Sequence, residues 1–504
     1  MSRSSSSGFL TRSVITVIIT GALAGLLWWL FPTAATALWV GFRAAWLVIV
    51  VGIAIAILTL TLAAAERSGF AVLAGIATLA WFIFGSMGVP YAQEQAVAAS
   101  VVIEDASPNS LSFRERSPFD VAKETSTRTL GDTTGNVTGE VKSLPTLGDH
   151  GMFSTSIIRK GWIQGYESTQ MLTPPLFGTA KASDATSCDF SPNANLRFGG
   201  GWFTNSLPRA IAHQAGIGVS ATQSDAFVVC DGDTPMLYAP LVKQVGLAIT
   251  KRVPAGVAIY DGKTGVLHIE HEYEGNLPVY PQSLATMQRE STAATGSFAD
   301  WLFGRAGYED TGKDEKDPNG QNRAEFGLAE QVGETPASGY SHEYVTPLNP
   351  RGSSSSIIGI GTLTGSKMQT GVLNDFTVYR YPKDETRQAN SAVADTITGT
   401  VLDGYKASGL TVFEIVPAAN GNWVASIGKA QSILYRASIA SDGNIAMLDA
   451  DEPATEENTE KAGENAEAGK VELAKPIEQM STQELRELGS QVLAELADRT
   501  GEQE

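Results

Sequence analysis

Apolar residues are distributed unevenly along this chain. Three long apolar runs fall at its start, Val14 to Leu30, about Ala44 to Ala65, and Gly69 to Val89, and no run of similar length follows. Each is about 17–22 residues long, which at ~1.5 Å per residue reaches across a hydrocarbon core of ~30 Å. Backbone amides in lipid must bond within their own segment, so each run is predicted to be a helix. Trp28, Trp29, Trp39 and Trp46 cluster around the first connection, where an interfacial aromatic belt belongs. Arg3 and Arg12 precede the first run, and Arg67 separates the second from the third. Three spans put these charges on one side, and positive charge favours the cytoplasm. Arg43 is placed where it can snorkel to the opposite surface. An odd number of spans then predicts a multi-pass protein of the cell membrane with everything after Val89 outside the cytoplasm. The competing pattern is a signal peptide followed by a hairpin; cleavage at Ala96-Val97-Ala98 would then release the body.

Beyond the anchor the period changes. Residues 1–12 form a cytoplasmic N-terminus and 13–90 the three-span anchor. Residues 91–135 are polar and read as an irregular lead-in. From 136 to 308 short β-branched and aromatic runs alternate with glycine, predicting a β-rich unit. Met152 to Ile158, Trp162 to Tyr166, Ala226 to Val229 and Met236 to Leu241 are its strands. The clearest hairpin runs from Val257 to Tyr273 around Asp261-Gly262, a turn pair that tolerates positive φ. Its second arm alternates, with Leu267, Ile269, His271 and Tyr273 on one face and His268, Glu270, Glu272 and Glu274 on the other. Helices are predicted over Pro281 to Ser291 and Phe298 to Gly304. Residues 309–338 form a polar insertion too long for an ordinary loop. A second β-rich unit, a sandwich or small barrel, is predicted over 339–446. Its strands are Ser356 to Thr362, Phe376 to Tyr381, Thr396 to Leu402, Thr411 to Val416, Trp423 to Ile427 and Ser432 to Ile439.

The end of the chain reads differently again. Residues 447–476 are acidic and poor in large apolar side chains, the composition of a disordered linker. Residues 477–500 carry a capping box, Ser481-Thr482-Gln483-Glu484. They also carry an apolar stripe of Leu485, Leu488, Val492, Leu493 and Leu496. So short an amphipathic helix is marginal alone. It needs a surface to dock on: its own body, a second copy, or another protein.

A net charge of −18 and a pI near 4.8 argue against nucleic-acid binding. The two cysteines, Cys188 and Cys230, both lie in the body, and an even pair in an exported region predicts one disulfide.

Candidate chemistry is sparse. His268, Glu270 and Glu272 share a predicted strand face and form the candidate metal set, although same-face side chains near 7 Å apart require a further ligand. Glu315-Lys316-Asp317-Pro318-Asn319-Gly320 resembles half of a calcium loop, but Phe326 stands where the bidentate acid belongs. Ser426-Ile427-Gly428-Lys429 and Lys263-Thr264-Gly265 match fragments of serine-acylase signatures in the wrong order. No linear hydrolase, phosphate-loop or dinucleotide motif occurs, and no cofactor or catalytic residue is assigned. The expectation is a membrane-anchored extracytoplasmic binding or accessory protein of the cell envelope. The alternative is an envelope hydrolase acting on carbohydrate or peptide, whose carboxylates are brought together only by folding.

Overall fold

A computed structural model of the chain describes residues 6–65, 68–129, 137–144, 151–161, 164–179, 185–201, 204–310, 327–330, 342–352, 356–401, 409–429, 432–440 and 443–448. The predicted acidic linker beyond Leu448, the docking stripe Leu485 to Leu496, and the calcium-like segment Glu315 to Gly320 lie outside these residues.

Three helices open the chain: α1 (Ser6–Leu30), α2 (Pro32–Ala64) and α3 (Ser68–Ala98). Two of them, α2 and α3, are long and apolar enough to cross a membrane; the described apolar part of α1, Ile18–Leu30, is shorter. The first and second helices are separated by Phe31 alone. Pro32 begins α2 at a position where its missing N–H costs no helical bond. α2 and α3 run antiparallel and interlock through small residues. Gly52 faces the Phe82 ring so closely that an added Cβ would stand 2.4 Å from it, and a Cβ at Gly85 would meet Val48 at 3.3 Å. Trp81 Nε1 donates to the Val48 carbonyl at 3.0 Å. Close backbone approach with few polar bonds is how helices associate in lipid. Their outward side chains, such as Leu60, Leu73 and Phe84, are exposed. The 33 residues of α2 span roughly 50 Å. That exceeds a ~30 Å hydrocarbon core, and the surplus lies against the body.

Among the described residues the body comprises four multi-stranded sheets and two small strand pairs. In the central sheet the strands Val101–Asp105, Phe376–Arg380, Gly359–Thr364, His342–Pro350 and Tyr308–Asp310 lie side by side. Only the first pairing is parallel; the others are antiparallel. A second sheet orders Leu267–Glu270, Lys251–Asp261, Thr234–Val245 and Val219–Ala221. A third orders Val137–Thr138, Met152–Ile158, Tyr166–Leu172 and Ala185–Asp189. The fourth is the meander Thr411–Pro417, Trp423–Lys429, Ser432–Ile439 and Ile445–Leu448.

These sheets share cores across the predicted unit boundary. One apolar cluster contains Val97 of α3, Leu144, Val253 and Val257 together with Tyr344, Leu348 and Phe376. Gly178–Thr179 pairs with Ser432–Ile433 of the fourth sheet. The segment read as an irregular lead-in supplies the edge strand Val101–Asp105 and the helix Phe119–Thr129. Parallel pairing with a strand far along the sequence leaves no local pattern, so the segment reads as polar loop.

Two further expectations differ locally. Of the strand expected over Thr396 to Leu402 from its β-branched residues, Thr396 to Val401 instead continue the helix Asn390–Thr396 into a wide turn at Ile397–Val401, and Leu402 lies outside the described residues. Ile397 is fully buried there, and packing overrides a weak intrinsic preference. Of the strand expected at Trp162 to Tyr166, Trp162 and Ile163 lie outside the described residues, Gln164 and Gly165 are not in a strand, and the strand Tyr166–Leu172 begins at its last residue.

Candidate functional site at the junction of anchor and body

The helices enter the body through specific polar contacts. Arg43 is the one charged residue of α2. Its guanidinium donates to the carbonyls of Gln244, at 3.2 Å, and of Gly246. One helical turn on, Trp46 Nε1 donates to the Leu247 carbonyl at 2.6 Å. Two carbonyls of the loop 246–250, those of Gly246 and Leu247, thus accept from α2.

The end of α3 is bonded just as closely. Gln93 Nε2 donates both to the Ala44 carbonyl, at 2.9 Å, and to Thr250 Oγ1, at 3.1 Å, joining α2, α3 and the loop. Lys251 Nζ donates to the Ala96 carbonyl at 3.3 Å. Tyr91 donates to the Gly296 carbonyl at 2.9 Å, and its ring packs on Phe298 and Trp301. Trp301 Nε1 donates to Glu94 Oε2 at 2.6 Å. The helix end then continues into the main core through Val97.

The α1–α2 corner makes a third contact. Arg209, on the helix Leu207–Ala215, donates to the Trp29 carbonyl at 3.1 Å and lies over the Trp29 ring. The Trp28 ring meets His213 edge-on with centroids 6.0 Å apart. Trp39 approaches Gly218, where an added Cβ would stand 3.2 Å from the indole. The tryptophans read as an interfacial belt therefore also hold the body. Beside these contacts the body exposes Ile217, Leu247 and Phe303, of which Leu247 is 79% accessible.

The structure joins Cys188 and Cys230 in a disulfide with Cα atoms 5.9 Å apart. It ties the strand Ala185–Asp189 of the third sheet to Phe227–Asp231 of the second.

The candidate metal residues are separated by a break at His271. His268 and Glu270 stay in the second sheet, with His268 Nε2 3.6 Å from Glu270 Oε1. Glu272 belongs to the next strand, Glu272–Glu274, which pairs with Lys367–Gln369. Among the described residues no three histidine, cysteine or carboxylate side chains converge as metal ligands. A surface depression of about 460 Å³, open solvent included, is lined by Asp225, Lys142 and Tyr344. Asp225 is already engaged there, accepting from Thr222 Oγ1 and from the backbone and hydroxyl of Ser283 at 2.6–2.8 Å.

No protein-family model matches the chain, and no curated protein or solved structure matches it. Function must therefore be argued from the residues.

Proposed function

We propose that this chain is a multi-pass, membrane-anchored binding or accessory protein of the cell envelope, with its body outside the cytoplasm. The observation that carries the reading is the bonding of the body to one end of the anchor. The C-terminal turn of α1, the first half of α2 and the end of α3 all touch it. The remaining apolar lengths of α2 and α3 project away from it. Arg12, in α1, precedes the first apolar run, and Arg67 lies between α2 and α3, so in sequence both sit away from the bonded ends, as three spans with a cytoplasmic N-terminus require. The Cys188–Cys230 disulfide supports an oxidising compartment.

A body bonded at three places to its anchor is held at a set height and orientation over the bilayer. That suits presentation of a surface to a partner, and the stripe Leu485, Leu488, Val492, Leu493 and Leu496 is the proposed contact. An export-dependent phosphatase fused at the end of the full chain is expected to be active. Cys188 and Cys230 are expected to resist alkylation until reduced. An inactive phosphatase fusion, with a cytosol-dependent reporter active at the same position and both thiols freely alkylated, would overturn the topology. Deleting residues 477–504 is expected to abolish co-purification of an envelope partner while leaving the body folded.

A further inference from the structure

Two long strands of the second sheet, Thr234–Val245 and Lys251–Asp261, run side by side for roughly 36 Å. Their two ends differ in chemistry. At one end lie the turns Asp231-Gly232-Asp233 and Asp261-Gly262-Lys263-Thr264, where Lys263 Nζ stands 3.1 Å from Asp233 Oδ2 and Val266 is exposed nearby. At the other end the connection is Gly246-Leu247-Ala248-Ile249, which carries no polar side chain. Leu247, at its tip, is the most exposed large apolar residue of the body described here.

Two other segments share this character. Ile217 is exposed between Gly216 and Gly218, and the pairing of Val219 with Lys243 brings it toward the same tip. Phe303 is exposed at the end of the helix Phe298–Leu302, and the Arg305 guanidinium lies over its ring at 5.1 Å. One exposed apolar side chain is ordinary. Three on separate segments, each beside a helix of the anchor, call for a common cover.

The anchor gives the height of these residues. Trp46 Nε1 donates to the Leu247 carbonyl at 2.6 Å. From Trp46 to the end of α2 at Ala64 is roughly 28 Å, close to the ~30 Å of a hydrocarbon core. Leu38 and Phe42 lie on the Pro32 side of Trp46 and are exposed as well, which puts the edge of the lipid at Trp46 or nearer to Pro32. Gln93 of α3 bonds to the Ala44 carbonyl, so the turn of α3 that carries Tyr91 is level with Trp46, and Phe298 and Trp301 pack on Tyr91. Gly218 approaches Trp39, which stands roughly 10 Å nearer to Pro32 than Trp46 does.

We propose that Leu247, Phe303 and Ile217 enter the leaflet nearest the body, so that lipid as well as the helices holds the body in place. Leu247 and Phe303 reach the boundary of the acyl chains, and Ile217 stays among the headgroups. Arg305, beside the Phe303 ring, meets lipid phosphate. Lipid is the occupant because these residues continue the outward apolar surface of α2 and α3. The proposal rests on those two helices spanning the bilayer.

Both cysteines are taken up in the disulfide, so one introduced cysteine carries one nitroxide label. The full chain in phosphatidylcholine nanodiscs is labelled in turn at Leu247→Cys, Phe303→Cys and Ile217→Cys. Ile57→Cys in α2 is the lipid reference, and Leu434→Cys, exposed on the fourth sheet, is the water reference. Collision rates are measured with oxygen, which concentrates in lipid, and with a water-soluble nickel chelate. The oxygen-to-nickel ratio at Leu247 and Phe303 is expected to rise several-fold above that at Leu434, toward the value at Ile57, with Ile217 between. Ala248→Cys reports on the same tip should Leu247→Cys fail to fold. Nickel access at Leu247 equal to that at Leu434, with Ile57 shielded, overturns the proposal and leaves the anchor standing. Nickel access at Ile57 as well overturns both. Shielding of Leu247 from oxygen and nickel alike means a protein cover, a second copy or another chain, and also overturns the proposal.

Discussion

Arg43 of α2 donates to the backbone carbonyl of Gly246, 203 residues further along the chain. A charge read from the sequence as reaching for the membrane surface bonds anchor to body. The carbonyl acceptors of Gln244 and Gly246 lie close to Trp46, Gln93 and Thr250 in a contact partly open to solvent. Replacing Arg43 with Leu keeps the helix apolar but leaves those acceptors without their partner. Hydrogen bonds to charged groups are worth about 1.5–3 kcal/mol each, and partial exposure here argues for the lower figure. The expected result of Arg43→Leu is faster amide exchange over residues 244–250 with unchanged exchange in the fourth sheet. Unchanged protection at 244–250 would show that Trp46 and Gln93 suffice.

The disulfide closes a loop of 42 residues between two sheets. In the chain-entropy model such a loop stabilises by about 4 kcal/mol. Cys188→Ala with Cys230→Ala should lower the denaturant midpoint of the body by that order. Reduction of the parent should do the same, and reduction of the double variant should change nothing. A midpoint insensitive to reduction would mean that the two strands are held by their own packing.

The Arg116–Glu414 pair is 3% accessible on both sides, and Glu414 Oε2 also accepts from the backbone N–H of Phe119 at 3.1 Å. Glu414→Gln leaves a buried guanidinium unpaired and is expected to destabilise by about 3–5 kcal/mol. Arg116→Met combined with Glu414→Leu should cost less than either single change, because no charge is stranded. Urea unfolding of the three variants measures this directly; additive losses would contradict it.

Burial pushes the phenols of Tyr166 and Tyr238 up to about 12. Tyr166 accepts from the Phe198 amide at 3.2 Å, and Tyr238 stacks on Phe227. The neutral phenol is the form that the fold holds, and an unfolded tyrosine ionises near ~10. Their contribution to stability is therefore complete below about pH 10 and is lost as the pH rises toward about 12. Unfolding midpoints should fall through that window, with part of the phenolate absorbance appearing only there. Tyr238→Phe should make the fall shallower.

Much of the local structure was legible because it follows from periodicity. The apolar runs became helices, and α2 and α3 extend beyond them into contact with the body. The hairpin around Asp261 formed between Lys251–Asp261 and Leu267–Glu270, but its second arm, expected to run to Tyr273, ends at Glu270. Its turn works by a different means than expected. The Asp261 carboxylate accepts from the amides of Lys263 and Thr264 at 2.7 and 3.0 Å, and Gly265 takes the positive φ of 73°. Gly262 is needed because the Phe190 ring lies where its Cβ would be, 2.5 Å away. No local pattern announces a ring arriving from seventy residues upstream.

The sequence alone determined the apolar anchor, the pairing of its only two cysteines and the strand-rich character of the body. These depend on hydrophobic period, composition and a choice of one partner. Tertiary structure alone decided that Arg43 and the tryptophans grip the body, that Val101–Asp105 joins a sheet with Phe376–Arg380, and that Thr396 to Val401 is helical. It also decided that His268 and Glu272 part company at a bend, and that Arg387 is buried without a hydrogen-bond partner among the described residues while three other buried arginines are paired. The reason is common to all of them. Each depends on which distant segment supplies the neighbouring atoms, and a side chain's identity specifies what it can bond to without specifying what folding will bring within reach.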